Sequence, residues 1–351
     1  MRVRLFLSVM LAAGAMALVL SPVTEGQRTT HLNRVVDVLA RGGVSIGVSS
    51  GGGSDIEGFA DAGNARGGDT NIDFLFMSQA NPLTFSIPNL KAYMEGLVEG
   101  GATSNPSTHP MLLRVPTVHE DTEAAKQRIQ QALDAGVYNI MYPHVETAEE
   151  ALFAIRAMRY PAQDVVDGTR PNSAGDAPSV WGIPESEYRQ KADLWPLDPN
   201  GELTTILLLE SVDAVEKHAR EITAVQGATI VIPAPGDLRS AYTAQMFPNA
   251  RGRGGAAGGR GGAGRGGARG GARGGGRGGR GSGLTADQQE ALQAKLEEAF
   301  AMQLAVCVEF DVVCGITAGE QDIERRIRQG FRFIIANNPE AVRLGHAAAG
   351  N

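Results

Sequence analysis

"ATIVIPAPGDLRSAY", residues 228–242, runs four residues of high strand propensity, Thr229 to Ile232, straight into two prolines, a glycine and a lone acid, Asp237. Pro, Gly and Asp are ordinary loop residues, and an acid at a strand end often does no more than cap the following helix. The stretch also reads as one stave of a parallel barrel, a fold that places its chemistry where the strands end. That second reading requires more strands of the same kind and more charged residues at their carboxyl ends.

Working outward, seven other stretches have the same character. "VSIGVS" (44–49), "DFLFM" (73–77), "MLLRV" (111–115), "NIMYP" (139–143), "TILLLE" (205–210), "DVVCGI" (311–316) and "FRFIIAN" (331–337) are apolar on successive residues rather than on alternate ones. Strands covered on both faces look like this. Between them lie helical patterns. In "TEAAKQRIQQALDAG", Ala125, Ile129 and Leu133 recur every four residues before Gly136 stops the helix. "TAEEALFAIRAMRYP" opens on a capping Thr followed by acids and stops at Pro161. "SVDAVEKHAREI", "LTADQQEALQAKLEEAFAMQLAV" and "GEQDIERRIRQG" behave alike. Eight β/α units over residues 30–348 predict an α/β fold, a single (β/α)8 TIM barrel, rather than two domains. An open, doubly wound sheet is the rival. It is disfavoured because "SSGGGSD", after the first strand, lacks the Gly-x-Gly-x-x-Gly spacing and a convincing helix-opening pattern.

Three segments interrupt the rhythm: 50–70 after strand one, 162–200 before strand five, and 251–283 after strand six. The first and third follow strands and are expected on the carboxyl rim. The third holds 19 of the 46 glycines and eight arginines with no acid, so it cannot bury enough apolar surface to offset its ordering entropy and is expected to be disordered. Removing its eight positive charges from the formal net of −7 leaves −15 on the rest of the chain. An acidic body with no stacking aromatics in its basic tract argues against nucleic acid as a partner. At the amino terminus a basic lead, Met1-Arg2-Val3-Arg4, precedes the apolar run 5–20, a pattern that reads as a signal peptide over residues 1–26. The expected location is periplasmic or secreted, with no stable membrane span after cleavage and a membrane anchor if the segment is retained. Export permits a bridge between Cys307 and Cys314 without demanding one, and seven-residue spacing across a helix end leaves its geometry open.

Three of the strand ends carry charge: Arg114 on strand three, Glu210 on strand five, Asp237 on strand six. Singly, each is most simply a salt bridge or a cap. Together, two carboxylates and a guanidinium on one rim make a seat for a hard divalent cation, Mg²⁺ or Mn²⁺ with Co²⁺ as a further candidate, carrying an anionic oxygen ligand such as a 2-oxo acid. Arg114 would then pair with the acid's carboxylate or with charge developing on its oxo oxygen.

The block "RIQQALDAGVYNIMYPHVETAEEALFAIRAMRYP", residues 128–161, resembles the HpcH/HpaI aldolase and citrate lyase β-subunit family, in its helix ending Leu-Asp-x-Gly, its strand ending in Pro and its acidic helix closing in Arg-Tyr-Pro. The likeness extends to "LLLES" at Glu210, to "APGDLRS" at Asp237 and to "MLLRVP" at Arg114. It implies a barrel of the phosphoenolpyruvate/pyruvate-binding type and a metal-dependent carbon-carbon lyase acting on a pyruvate-like 2-oxo acid and an aldehyde. It further implies Glu210 and Asp237 as metal ligands, Arg114 and Gly236 as substrate contacts, Asp134 in the proton-transfer apparatus, and assembly as a homo-oligomer. Two positions depart from the family pattern. Where the family carries Asp-Gly-Glu-His, this chain reads "SQAN", ending in Asn81, which cannot take a proton; and the glutamine before the metal-binding Glu is Leu208. His144, just past strand four, and His119 are the substitute bases on offer, His144 the better placed. The lost histidine keeps open a catalytically inactive barrel that binds a metal and an oxo acid. The Gly/Arg tract keeps open an interaction protein.

Overall fold

All eight apolar stretches are strands, and they close into one barrel of parallel strands in sequence order, the last hydrogen-bonded back to the first. They are β1 (Ser45–Ser49), β2 (Leu75–Ser78), β3 (Met111–Arg114), β4 (Asn139–Tyr142), β5 (Thr204–Leu209), β6 (Ile230–Pro233), β7 (Val313–Ala318) and β8 (Phe333–Ala336). The helices are α1 (Arg34–Ala40), α2 (Ile56–Gly67), α3 (Ile87–Glu99), α4 (Thr122–Asp134), α5 (Ala148–Met158), α6 (Ala177–Trp181), α7 (Glu185–Lys191), α8 (Ala219–Thr223), α9 (Pro235–Met246), α10 (Ala286–Phe310), α11 (Ile323–Gln329) and α12 (Pro339–Ala349). A widened helical turn, Ala214–His218, leads into α8. This computed structural model describes residues 31–161, 165–248 and 283–350; the segment read as a signal peptide and all but the last residue of the Gly/Arg tract lie outside them. Among the described residues no helix is long and apolar enough to cross a membrane.

The strands are apolar throughout because both faces are covered, and their side chains still sort with a period of two. Ile206 and Leu208 of β5, and Ile230 and Ile232 of β6, point into the barrel, while Leu207, Leu209 and Val231 pack outward under the helices. Phe74 and Phe333 stack inside the barrel with ring centroids 4.4 Å apart. Gly47 on β1 makes room for them: a Cβ there would lie 2.4 Å from the Phe74 ring. Val35 and Leu39 of α1 join this interior cluster, and Arg332, just before β8, donates to the Leu39 carbonyl, so α1 closes the amino-terminal mouth of the barrel.

Two expectations need correction. Residues 50–70 are not a loop: Asp55 accepts from the Gly58 amide and caps α2, the helix of the first β/α unit. Glycines of α2, and those at α3 that face them, allow close helix contact. A Cβ at Gly63 would sit 2.1 Å from the Tyr93 carbonyl oxygen, one at Gly96 2.1 Å from that of Ala60, and one at Gly100 2.2 Å from that of Asn64. Second, the Gly/Arg tract does not follow strand six directly, because α9 intervenes, so adjacency to β6 cannot put it on the rim. The bridge that the spacing left open is present: Cys307 of α10 and Cys314 of β7 form a disulfide with Cα atoms 5.7 Å apart. Asp311 takes the left-handed conformation, φ 53°, and turns the chain from helix into strand within three residues, bringing the two thiols face to face.

The insertion before β5 does precede a strand and packs at the barrel's amino-terminal side. Trp181 stacks on Tyr138, centroid to centroid 4.3 Å, and donates its indole N–H to the Gly136 carbonyl.

Candidate active site

Glu210 is the first residue after β5, and its side chain is almost fully buried at the carboxyl rim. Three donors converge on it. Arg114, the last residue of β3, reaches across β4 and places Nη2 2.8 Å from Oε1. His144 follows β4 in the left-handed conformation, φ 52°, uncommon for a side chain with a Cβ. That turn aims both its amide, 3.0 Å, and its ring Nδ1, 2.9 Å, at Oε2. Burial pushes the Glu210 carboxyl above its ordinary range; the Arg114 and His144 charges pull it down, and the Asp237 charge pushes it up again.

Asp237 belongs to the first turn of α9, where an acid suits the helix dipole; the N-cap position is Ala234 and no side chain caps this helix, so Asp237 does not act as its cap. It is exposed and lines the same cavity as Arg114, Glu210 and Gly236. Gly236 has open space where a Cβ would sit, so its backbone is bare to the cavity. The cavity holds about 590 Å³ and takes residues from the ends of all eight strands. Phe76, Met141, Leu208, Ile232 and Ile335 form its apolar part; Ser49, Thr317 and Asn337 bring polar groups the sequence reading did not single out. Ser49 and Thr317 lie at or one residue from the end of a strand, so the rule that found Arg114 would have found them.

The donor set suits a small divalent ion. A carboxylate has about four lone-pair positions, and the three donors on Glu210 leave one on Oε1. With Asp237 this makes two protein oxygens, the number Mg²⁺ accepts when water and substrate supply the rest. Among the described residues no group of three or more His, Cys, Asp or Glu side chains forms a fuller cage.

Within one chain the other residues named from sequence lie elsewhere. Asp134 ends α4, before β4, whereas His144 follows β4; the two are at opposite ends of one strand. Asp134 accepts from Ser173 Oγ at 3.0 Å and faces the buried Arg170 guanidinium at 3.5 Å. His119 pairs with Glu150 at 3.6 Å. Asn81 is exposed, its side-chain oxygen accepting from the Leu83 amide in the loop after β2. Leu208 is part of the cavity's apolar lining.

Residues 102–249, from just before β3 to just past α9, match the HpcH/HpaI aldolase/citrate lyase family. A hydroxypyruvate/pyruvate aldolase of Delftia acidovorans is 36% identical over 132 residues, 38% of this chain and 42% of that protein. Its counterpart in Paraburkholderia phytofirmans is 29% identical over 110 residues, 31% and 39% of the two chains. The matched region thus spans about two-fifths of the length of these curated relatives. In three dimensions, an HpcH/HpaI aldolase/citrate lyase family protein from Burkholderia cenocepacia superposes over 87% of this chain and 91% of its own, with a TM-score of 0.57 at 19% identity. By sequence over residues 102–249, and by fold around the whole barrel, this chain resembles the HpcH/HpaI aldolase/citrate lyase family.

Proposed function

We propose that the protein is a divalent-metal-dependent carbon-carbon lyase of the aldolase type, cleaving or forming a 4-hydroxy-2-oxo acid from a pyruvate-like acid and an aldehyde. The observation that carries this reading is the convergence of Glu210, Asp237 and Arg114 on one cavity, with the Glu210 carboxyl pushed up by its burial and, to a lesser degree, by the Asp237 charge. Such a pair calls for a cation. Glu210 and Asp237 would hold Mg²⁺, Mn²⁺ or Co²⁺, which when bound supplies Lewis-acid polarisation of the oxo acid's oxygens. The aldolase names of the partial relatives point the same way.

The chain's own residues supply the rest. Arg114 keeps one N–H on Glu210 and has further donors for the substrate carboxylate and for negative charge gathering on the oxo oxygen. The exposed main chain at Gly236 lets the substrate approach closely. Glu210 accepting from Nδ1 of His144 leaves Nε2 with the free lone pair, which suits His144 to take a proton from the methyl carbon next to the oxo group. In the forming direction, that carbon then bonds to the aldehyde carbon and the aldehyde oxygen takes up a proton. Asp134, bound to Ser173 and Arg170, has no part in this scheme within one chain. The apolar Phe76, Met141 and Ile335 keep water from the reacting carbon.

The test is pyruvate release from 4-hydroxy-2-oxo acids by the mature chain, with and without Mg²⁺, Mn²⁺ or Co²⁺. Turnover abolished by chelation and reduced at least about 100-fold in Arg114→Leu supports the lyase. Metal binding without turnover would instead support a non-catalytic barrel, the reading favoured by Asn81 where the family has its histidine. Export belongs to the same proposal and is supported by the Cys307–Cys314 disulfide, a bond that persists in oxidising compartments. Homo-oligomeric assembly is also proposed, and light scattering of the mature chain tests it.

A further inference from the structure

We propose that Ser211 and Glu146 are positioning residues, which together lock the turn after β4 so that the His144 ring stays aimed at Glu210. This rests on the lyase reading, in which His144 takes the substrate's proton. With 48% of its side chain exposed, His144 takes its direction from the backbone that carries it more than from packing. That backbone is strained, φ 52°, and such a conformation persists only where its surroundings over-determine it.

The turn is tied to β5 and the residues just beyond it at three successive positions. His144 donates its amide to Glu210 Oε2 at 3.0 Å; the Val145 amide donates to the Leu208 carbonyl at 3.1 Å, and the Val145 side chain is buried. The third tie is made by side chains. Ser211 Oγ donates to Glu146 Oε2 at 2.6 Å, short as hydroxyl-to-carboxylate bonds are. Ser211 directly follows Glu210 and Glu146 lies two residues past His144, so this bond closes the turn just beyond the strained residue. Both partners are themselves fixed. Ser211 Oγ accepts from the Ala214 amide at 2.9 Å, which leaves its proton for Glu146, and the Glu146 amide donates to Glu150 Oε2 of α5 at 2.7 Å. The other Glu150 oxygen lies 3.6 Å from Nδ1 of His119, which anchors the far end to the segment after β3. The bond from Arg114 to Glu210 comes from β3 and does not pass through this turn. Cutting the Ser211–Glu146 bond therefore frees His144 while sparing the groups that would hold the metal and the substrate carboxylate.

The test uses Ser211→Ala and Glu146→Ala, which remove the donor and the acceptor, and Glu146→Gln, whose amide oxygen still accepts. Heteronuclear NMR of the histidine ring nitrogens in the full chain, at a pH where imidazoles are neutral, reads the tautomer, and a His144→Gln variant assigns the signal. In wild type His144 is expected to carry its proton on Nδ1, directed at Glu210. Both alanine variants should revert to the mixture of tautomers that free imidazole shows, and Glu146→Gln should stay as wild type. With pyruvate and an aldehyde as substrates, kcat should fall about 10- to 100-fold in the alanine variants, with KM changed less than about twofold, and recover in Glu146→Gln. A His144 signal unchanged in both alanine variants overturns the proposal, whatever the turnover. A lost Nδ1 proton in variants of a protein that turns over no substrate would sink the lyase reading and leave the clamp standing. Ser211 and Glu146 are both half-buried and Glu146→Gln conserves volume, so a defect shared by all three variants would mark a purely structural role and overturn the proposal as well.

Discussion

Replacing Gly63 with alanine should destabilise the protein although alanine is the better helix former. The Cβ would land 2.1 Å from the Tyr93 carbonyl oxygen, and real Cβ contacts do not fall below 3.0 Å, so α2 and α3 must separate by at least 0.9 Å. The obstructing atom is backbone inside a helix and cannot rotate away. Overpacking of this kind costs about 1–3 kcal/mol, and the rigid obstacle argues for the upper end. The helix preference of Ala over Gly returns about 1 kcal/mol, for a net loss of about 2 kcal/mol. Gly96→Ala meets the Ala60 carbonyl at the same 2.1 Å and should cost about as much. Once one methyl has pushed the helices apart the other fits more easily, so the double variant should lose less than the two singles together, by about 0.5 kcal/mol or more. Gly68→Ala is the control: its nearest contact is 3.4 Å, φ is −86°, and its effect should stay within about 0.5 kcal/mol. Urea unfolding followed by far-UV circular dichroism measures all four. A Gly63→Ala protein as stable as wild type, or strict additivity in the double variant, would show that the two helices do not pack through their glycines.

Further outcomes are expected elsewhere in the barrel. On the proposed metal site, Mg²⁺ or Mn²⁺ is expected to raise the melting temperature of the wild type in differential scanning fluorimetry and Asp237→Asn to remove that rise; an undiminished rise in the variant would place the ion elsewhere. Burial pushes the Glu297 carboxyl up, but hydrogen bonds from Arg326, Arg325 and Gln329 outweigh it and hold it down at about 2. Because the folded value lies below the unfolded one, that stabilisation is complete above about pH 4.5 and drains away as pH falls towards 2. With a quarter of the side chain exposed to screening, about 1–2 kcal/mol is expected, and Glu297→Gln should flatten that part of the acid-unfolding curve. Reducing the disulfide opens a short loop, with partners only 7 residues apart, and should cost about 2.5 kcal/mol on the chain-entropy model. Denaturation with and without a thiol reductant, against a Cys307→Ser control that should no longer respond, checks this.

How legible each part was follows from how local its cause is. The strands stood out because burial on both faces leaves an unbroken apolar run, which needs no knowledge of the partner strands. Arg114 and Glu210 could be picked out by position alone, since parallel strands deliver their last residues to one rim. The α2 helix was hidden for the opposite reason. Its glycines argue for a loop until α3 is beside them, and their purpose lies in carbonyls some thirty residues away. The disulfide depended on a single left-handed residue, Asp311, which no spacing rule anticipates. Asp134 entered through family likeness alone, and the chain holds it at the other end of β4 from His144.

The stacked pair Phe74 and Phe333, with α1 wedged behind it, has a consequence for traffic. It stoppers the tube, so a molecule entering the rim cavity meets a blind end. On the lyase proposal, both reactants would therefore arrive and depart on the carboxyl side, because the tube offers no passage out through its other end.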